Sequence, residues 1–417
     1  MMGISTLALV LMCQIGAPHI EHVRNDTTRQ WSLSAEAGAG QLGETAALWT
    51  QPRFTLHRDQ IDLVLALPLW VAMGPEVKLL NDVEDPETWA ALIEYMSLRN
   101  RYGDAEIYVG GLRGERFGHG SLVDQYTGRM DPMTPRTGAR IRYSAFGVNS
   151  EWMVNSVVKP QVMGGHVEAA PLSYFGWDKE KRYRMSLGGM LDVGTPLGDH
   201  EAVIGGLNLG LSAVVWRNKS LGFELYANGV ALAGDKFGGH FGLLTEWGRD
   251  SQRSMALTVR AEAVLAGDGY VPGYFDMAYE AERVGLPGED RGAKGTWNTP
   301  SSEHVRLQSD FRMERMLVSA SVDVRLDGEA KYALMGHYES PQWGVAGMLT
   351  QRHIQEAKDI VAWNGQTAAM LEFSGRLYRD LYGWARLYRG WHEENDTIAS
   401  MTAWSVGVGY GMARLFK

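Results

Sequence analysis

Hydrophobic and polar positions alternate one by one along much of this chain. Between Leu207 and Val215 every odd-numbered residue is apolar, whereas the even-numbered ones include Asn208 and Ser212. Successive side chains of a β-strand point to opposite faces, so this period of two predicts strands with one apolar face and one polar face. The same pattern recurs at 61–69, 221–228, 255–265, 318–326 and 369–377.

These runs have about 9–11 residues, the length of a tilted strand that crosses an outer membrane. Runs of this kind, with further candidates at 102–113, 138–146 and 149–157, continue from Trp31 to the end of the chain. A closed transmembrane barrel has an even number of antiparallel strands, and we predict about 18 to 20 of them.

The links between the predicted strands alternate in length. Short turns are predicted at 58–60, 99–103, 146–148, 217–220, 248–252, 312–315, 341 and 379–381. Longer links are predicted at 72–89, 114–137, 267–302, 352–366 and 393–401. This alternation is typical of a barrel with tight periplasmic turns and larger outside loops. A tight-turn pair at Asp327-Gly328 falls where a long link is expected.

The last run, Trp404 to Phe416, has the sharpest contrast between its faces. Its even-numbered positions carry aromatic and aliphatic residues with Arg414, whereas its odd-numbered positions carry mostly glycine, serine and alanine. A final strand with an aromatic residue next to the C-terminus resembles the terminal strand of bacterial outer-membrane β-barrels. The resemblance implies recognition of Trp404 to Phe416 by the barrel assembly machinery, and Lys417 is a departure from the pattern.

Composition changes this picture in three ways. Glycine accounts for 50 of 417 residues, well above the average of ~7%, which requires tight turns or closely packed small side chains. The net charge of −9, without long runs of either sign, argues against a nucleic-acid partner. The mean hydropathy of −0.22 and the lack of long apolar stretches beyond residue 20 exclude membrane helices.

The single cysteine, Cys13, excludes a disulfide or a cysteine-based metal site within the mature chain, and no histidine spacing is typical of a metal site. We therefore expect no metal and no cofactor. The apolar segment at the N-terminus resembles a secretory signal with cleavage near Ala17, although it lacks a preceding lysine or arginine. The predicted organisation is a signal peptide at 1–17, a polar segment at 18–30 and a transmembrane β-barrel at 31–417.

The link at 114–137 is too long to be a simple connection, and loops of this length are usually functional. We expect it to fold into the lumen and narrow a channel, with four arginines setting a preference for anions. The alternative is that these arginines only pair with Glu115, Asp124 and Asp131. The arginines are Arg113, Arg116, Arg129 and Arg136.

The run from Arg116 to Ala139 is similar to one in large predicted outer-membrane barrels of myxobacterium-like organisms, some of them linked to polysaccharide secretion. The resemblance covers this run and the general barrel pattern. It implies a conduit for a secreted polysaccharide, working with periplasmic export proteins.

The predicted inward positions of the later strands carry charges of both signs and aromatic rings. The charged residues would line the pore or pair across strands, and the rings would stack on sugars or only fill space. The charged candidates are Arg260, Glu262, Arg325, Arg376 and Arg386. The aromatic candidates are Trp216, Tyr226, Trp384 and Tyr388.

His119, Ser121 and Asp124 are the residue types of a hydrolase triad within six positions. A triad is defined by geometry, and a cluster this local seldom aligns its three groups. A tight turn at Gly-His-Gly-Ser is the alternative.

The sequence therefore predicts an all-β protein, a single closed antiparallel barrel in the bacterial outer membrane and in contact with its lipid. We expect a porin for small hydrophilic, preferably anionic solutes and not an enzyme. The polysaccharide conduit and a barrel-borne lipid hydrolase are the alternatives.

Overall fold

The structure is a computed structural model of the 417-residue chain. It describes residues 30–42, 45–66, 69–73, 78–79, 86–100, 104–112, 114–127, 136–178, 180–197, 200–248, 255–276, 279–282, 294, 299–340, 342–362, 367–378, 380–394 and 397–415. The predicted signal peptide and nearly all of the polar segment after it lie outside the described residues.

Strands dominate the chain. They are β1 Gln30–Leu42, β2 Thr45–Arg58, β3 Ile61–Ala66, β4 Leu69–Ala72, β5 Lys78–Leu79, β6 Ile93–Arg99, β7 Ala105–Gly110, β8 Val123–Asp124, β9 Gly138–Ala145, β10 Val148–Val154, β11 Val162–Ala169, β12 Tyr183–Leu197, β13 His200–Arg217, β14 Leu221–Leu232, β15 Lys236–Trp247, β16 Met255–Ala266, β17 Phe275–Asp276, β18 Ser302–Met313, β19 Met316–Arg325, β20 Ala330–Glu339, β21 Trp343–Ile354, β22 Thr367–Tyr378, β23 Leu381–Glu394 and β24 Thr397–Leu415.

The described parts of the links contain three short α-helices and the 3₁₀-helix Ala357–Val361. The α-helices are α1 Pro86–Ala90, α2 Pro171–Tyr174 and α3 Tyr279–Glu282. None of the helices among the described residues is long and apolar enough to cross a membrane.

A single closed sheet contains 22 of the 24 strands in the described part of the chain. Each strand of this sheet pairs antiparallel with its neighbours, and β24 returns to pair with β1, from Gln30 opposite Leu415 to Leu42 opposite Ala403. β3 and β4 both pair with β2, one after the other, and share one strand position of the barrel. β6 pairs with β3 and β5 pairs with β4, so β5 and β6 share the next position. The 22 strands of the sheet therefore occupy 20 positions. The predicted fold class and strand number are confirmed.

Antiparallel order places successive links at opposite ends of the barrel. All eight predicted short turns fall at the same end, which we call the short-turn end. For example, β2 and β3 are joined there by residues 59–60, and β18 and β19 by residues 314–315. One link at this end was not predicted, the stretch 170–182 that carries α2.

The opposite end, which we call the long-loop end, departs from the predicted alternation of link lengths. The predicted loop at 393–401 is wrong, because β23 continues to Glu394 and β24 begins at Thr397. The predicted Asp327-Gly328 turn is present, with a φ of 107° at Gly328. Another short link at this end, residues 233–235 between β14 and β15, was not predicted.

The apolar face of the wall strands points outward, as the sequence predicts and as β13 and β24 illustrate. On β13, Leu207, Leu209 and Leu211 are 64%, 57% and 54% exposed, whereas Asn208 between them is buried. Trp404 and Tyr410 of β24 are also exposed. A closed barrel satisfies every strand edge, so such an apolar outer belt suits lipid rather than water.

Glycines on the inner face let loops approach the barrel wall closely. A Cβ atom at Gly238 of β15 would lie 2.1 Å from the ring of Tyr270, and one at Gly206 of β13 would lie 2.8 Å from Leu122. No side chain fits at such distances, so part of the unusual glycine content makes room inside the barrel.

Candidate functional site

Residues 114–127, which we call the inserted hairpin, fold into the lumen. Its two arms are joined at Glu115 and Tyr126, which exchange two backbone hydrogen bonds. Its tip is a tight turn in which Gly118 and Gly120 adopt φ values of 54° and 78°, a region that favours glycine. The prediction of an inward fold is confirmed for residues 114–127 of this link, whereas residues 128–135 lie outside the described residues. The tight turn at Gly-His-Gly-Ser is present.

Residues 267–276 and 279–282, which we call the inserted loop, enter the lumen beside the hairpin. This part of the link 267–302 was predicted to lie outside, and that prediction is wrong. In the loop, β17 pairs in parallel with β8 of the hairpin, Phe275 opposite Val123 and Asp276 opposite Asp124. The reason is apolar burial, because Phe275, Val123, Tyr274 and other residues of both segments pack against the inner face of the barrel as one cluster.

Asp124 ties the inserted hairpin to the wall through Arg260 of β16 and Arg306 of β18, and it also binds Arg116 of the hairpin itself. Its carboxylate accepts hydrogen bonds from Arg260 at 2.7 Å, Arg306 at 2.6 Å and Arg116 at 2.7 Å. Burial alone would raise the pKa of this carboxyl, but the guanidinium groups of Arg260, Arg116 and Arg306 outweigh burial and hold the pKa well below its usual range.

A second chain of contacts ties the inserted loop to the same wall. The hydroxyl of Tyr270 lies 2.6 Å from His240 Nε2, and His240 Nδ1 lies 3.0 Å from Glu262. Glu262 in turn accepts a hydrogen bond from Arg306 at 3.0 Å. Arg306 therefore connects the contacts of the hairpin with those of the loop.

A third cluster surrounds Lys294, which is fully buried. Its ammonium lies 2.5 Å from Glu282 and 3.3 Å from Asp276, and it stands 5.3 Å from the ring centroid of Tyr274. Arg352 of β21 donates to the same Asp276 at 2.7 Å. Charges buried to this degree must be paired, so the cluster holds the inserted loop against β21.

The seam of the barrel carries its own paired charges. Arg53 of β2 lies 2.8 Å from Glu36 of β1 and 3.0 Å from Glu94 of β6. Arg386 of β23 lies 3.1 Å from Glu372 of β22, and its guanidinium stands 4.4 Å from the ring of Trp384. The charged residues of these pairs are buried on the inner face of the wall, and of them Arg386 was predicted to point inward.

Comparisons with solved structures find chains that align with nearly all of this one at low sequence identity. The chain aligns with OccK11 (OpdR) of Pseudomonas aeruginosa at 11% identity, covering 93% of this chain and 96% of that one, with a TM-score of 0.35. The outer membrane protein opdK of the same organism aligns at 9% identity over 93% and 98%, with a TM-score of 0.33. A BenF-like porin of Pseudomonas fluorescens aligns at 8% identity over 94% and 99%, with a TM-score of 0.32.

No family model matches the chain, and no curated protein matches it. At such low identity the fold assignment rests on the strand pairing of the chain itself. A closed 20-strand antiparallel barrel with an apolar outer belt fits a location in the bacterial outer membrane.

The predicted pore-lining residues differ in burial and in their partners. Arg260, Glu262 and Arg386 point inward and are buried, and Arg325 lies beside Glu329 at 2.8 Å. Arg376 is exposed near the end of β22 that leads to the short-turn end.

The arginines predicted on the inserted link are divided as well. Arg116 reaches Asp124, and Arg136 pairs with Glu280 at 3.2 Å. Arg113 and Arg129 lie outside the described residues. The pairing with Asp124 that the sequence left as an alternative is therefore present for Arg116.

Three of the four predicted stacking residues, Tyr226, Trp384 and Tyr388, are buried on the inner face. Trp216 is not among them. The register of β13 against β14 shifts between Val214 and Trp216, which places Trp216 opposite Phe223 with a ring-centroid distance of 5.7 Å. The shift turns Trp216 to the outer side of the barrel, where 44% of it is exposed, and a period-two reading cannot detect such a bulge.

The residues of the suggested hydrolase triad have separate partners inside the lumen. His119 lies 3.1 Å from Glu224 and stacks on Tyr226 at 3.9 Å. Ser121 accepts a hydrogen bond from Asn228 at 2.8 Å, and Asp124 is held by the arginines. The three side chains therefore have no nucleophile-base-orienter arrangement.

Two small cavities follow the wall between β16 and β21. One of about 50 Å³ is lined by residues that include Arg260 and Arg306, and the other, of about 70 Å³, by residues that include Arg325. Asp323, Lys331 and Arg352 line both cavities. Three of these lining residues were not predicted from the sequence, because their position becomes apparent only when the inserted segments are in place. They are Arg306, Lys331 and Arg352.

Proposed function

We propose that this chain is an outer-membrane channel for small hydrophilic solutes, with a preference for anions. The observation that carries the proposal is a closed 20-strand barrel whose lumen is narrowed by the inserted hairpin and the inserted loop. Barrels of this size leave an aqueous channel unless they are plugged, so these segments set what passes.

Carboxylates also line the lumen, so the proposed preference for anions does not rest on net charge. It rests on arginine N–H groups that have no hydrogen-bond acceptor among the described residues. Arg260 Nη1, Arg325 Nε and Arg352 Nε are buried N–H groups of this kind. These arginines line the two cavities along β16 to β21. A carboxylate or phosphate oxygen provides the acceptor that such donors require.

The cavities hold only a few water molecules. We therefore expect a small conductance while both inserted segments are in place and a larger one when they shift. The solute path in this proposal follows the shared residues Asp323, Lys331 and Arg352.

The test is single-channel recording of the purified, refolded protein in a planar bilayer with a salt gradient. Stable steps whose reversal potential favours anions are expected. Arg325→Gln should reduce the anion preference, because Arg325 lines a cavity without contacting the inserted segments. Arg182→Gln is the matched control, because Arg182 is exposed and pairs only with Glu180 in the link at the short-turn end.

A cation preference in the wild-type channel would contradict the selectivity. Inserted protein without any conductance steps would contradict the channel itself. Insertion is established separately by the heat-dependent gel mobility of folded barrels.

A further inference from the structure

A long link at the short-turn end, residues 170–182, exposes a set of aromatic rings. Tyr174, Phe175 and Trp177 of the link 170–182 are 55%, 70% and 80% exposed, and Phe146 in the neighbouring turn is 90% exposed. We call these four residues the aromatic foot. Large exposed apolar patches mark surfaces that contact a membrane or a protein.

The foot has a defined structure. The hydroxyl of Tyr174 donates a hydrogen bond to the backbone oxygen of Phe146, and the rings of Phe175 and Trp177 lie 5.7 Å apart. The link is closed by backbone hydrogen bonds from Trp177 and Asp178 to Leu172. Asp178 also accepts a hydrogen bond from the backbone of Tyr183 at 2.8 Å, which fixes the link to the start of β12.

The foot continues the lipid-facing belt of the barrel. Tyr143 near the end of β9 and Tyr183 at the start of β12 point outward at this end and are 48% and 54% exposed. Further along the same strands, Ile141 and Met185 belong to the apolar belt. The exposed surface thus runs from the belt, through two tyrosines, to the foot.

We propose that the aromatic foot lies in the headgroup region of the lipid leaflet at the short-turn end and anchors the barrel there. Tryptophan and tyrosine prefer this depth, because their rings are apolar and their polar atoms can contact water or headgroups. Lys181, which lies over Gly147 beside Tyr174, reaches lipid phosphates from this position.

The test uses the full chain in vesicles of phosphatidylethanolamine and phosphatidylglycerol. Cys13→Ala removes the only cysteine, and Trp177→Cys then carries an environment-sensitive fluorophore. Lys219→Cys is the matched control, because it is exposed in the turn between β13 and β14 at the same end. We expect a shift to shorter wavelength and quenching by headgroup-proximal spin-labelled lipid at position 177, with neither effect at position 219.

Emission typical of water at position 177, without lipid quenching, would overturn the proposal. Protection from aqueous quencher that appears only at high protein density would also overturn it, since a second copy would then be the occupant. If Trp177→Cys does not fold, Phe175→Cys gives the same measurement. Channel activity is not part of any readout, so the outcome is independent of the proposed function.

Discussion

Asp124 and Arg306 lie 182 positions apart in the chain, and their side chains meet at 2.6 Å inside the barrel. One belongs to the inserted hairpin and the other to strand β18 of the wall. Arg306 also contacts Glu262, which reaches the inserted loop through His240 and Tyr270. Arg306 and its carboxylates therefore link both inserted segments to the wall.

Asp124→Asn should release the inserted hairpin. The substitution leaves Arg260 and Arg306 without their shared carboxylate, and loss of one partner of a buried ion pair costs up to about 3–5 kcal/mol. We expect larger and noisier single-channel currents, together with faster proteolysis within 114–127. Glu180→Gln is the control, because Glu180 is exposed and pairs with Arg182 in the link at the short-turn end, outside the lumen. Currents equal to those of the wild type would contradict this role of Asp124.

The hairpin should stay in place when the pH falls from neutral to about 4. The pKa of Asp124 is lowered in the folded state, so its stabilising contribution is complete above the unfolded value of about 3.9 and is lost only as the pH falls through the lower, folded value. Single-channel currents at stepwise lower pH measure this. A rise in current between pH 6 and about 4 that Asp124→Asn abolishes would refute the expectation.

Gly238→Val should lift the inserted loop away from β15. A Cβ atom there would lie 2.1 Å from the ring of Tyr270, so the ring must move and its contact with His240 is lost. The neighbouring Gly239→Val is the matched control, since its Cβ would meet only Phe241 at 3.6 Å. Conductance and protease sensitivity should rise for the first variant only, and equal behaviour of the two would show that the loop does not need this space.

Lys294→Met should weaken the hold of β21 on the inserted loop. Glu282 and Asp276 would lose their buried ammonium, a loss that costs several kcal/mol when charges are left unpaired. Hydrogen exchange of the backbone within 270–282 should become faster. Lys358→Met, which removes an exposed pair with Glu356, should change nothing, because exposed pairs contribute about 0–1 kcal/mol.

Leu209→Arg should destabilise the barrel in lipid. Leu209 lies midway along β13 on the outer face, where an arginine costs about 2–4 kcal/mol at the bilayer midplane. Val215→Arg, on the same face near the end of β13, should cost only about 0–1 kcal/mol. Equilibrium unfolding in vesicles gives both values, and equal costs would argue against a lipid belt at this depth.

The alternation of apolar and polar residues was sufficient to predict the barrel wall of this protein. The period of two in β13, β16 and β24 determines which side chains face lipid, because adjacent residues of a strand must point to opposite faces. The short turns were predicted from the same pattern, because they lie between the alternating runs. Arg260, Glu262 and Arg386 were found as inward residues for this reason.

The contents of the lumen were decided by tertiary structure. Whether the inserted loop turns inward depends on Phe275 and Tyr274 meeting the hairpin and on glycines such as Gly238 leaving space, and these contacts join residues far apart in the chain. The bulge that turns Trp216 outward likewise exists only in the pairing of β13 with β14. Alternation specifies faces along one strand, but the partners of Asp124 are set by the closure of the whole barrel.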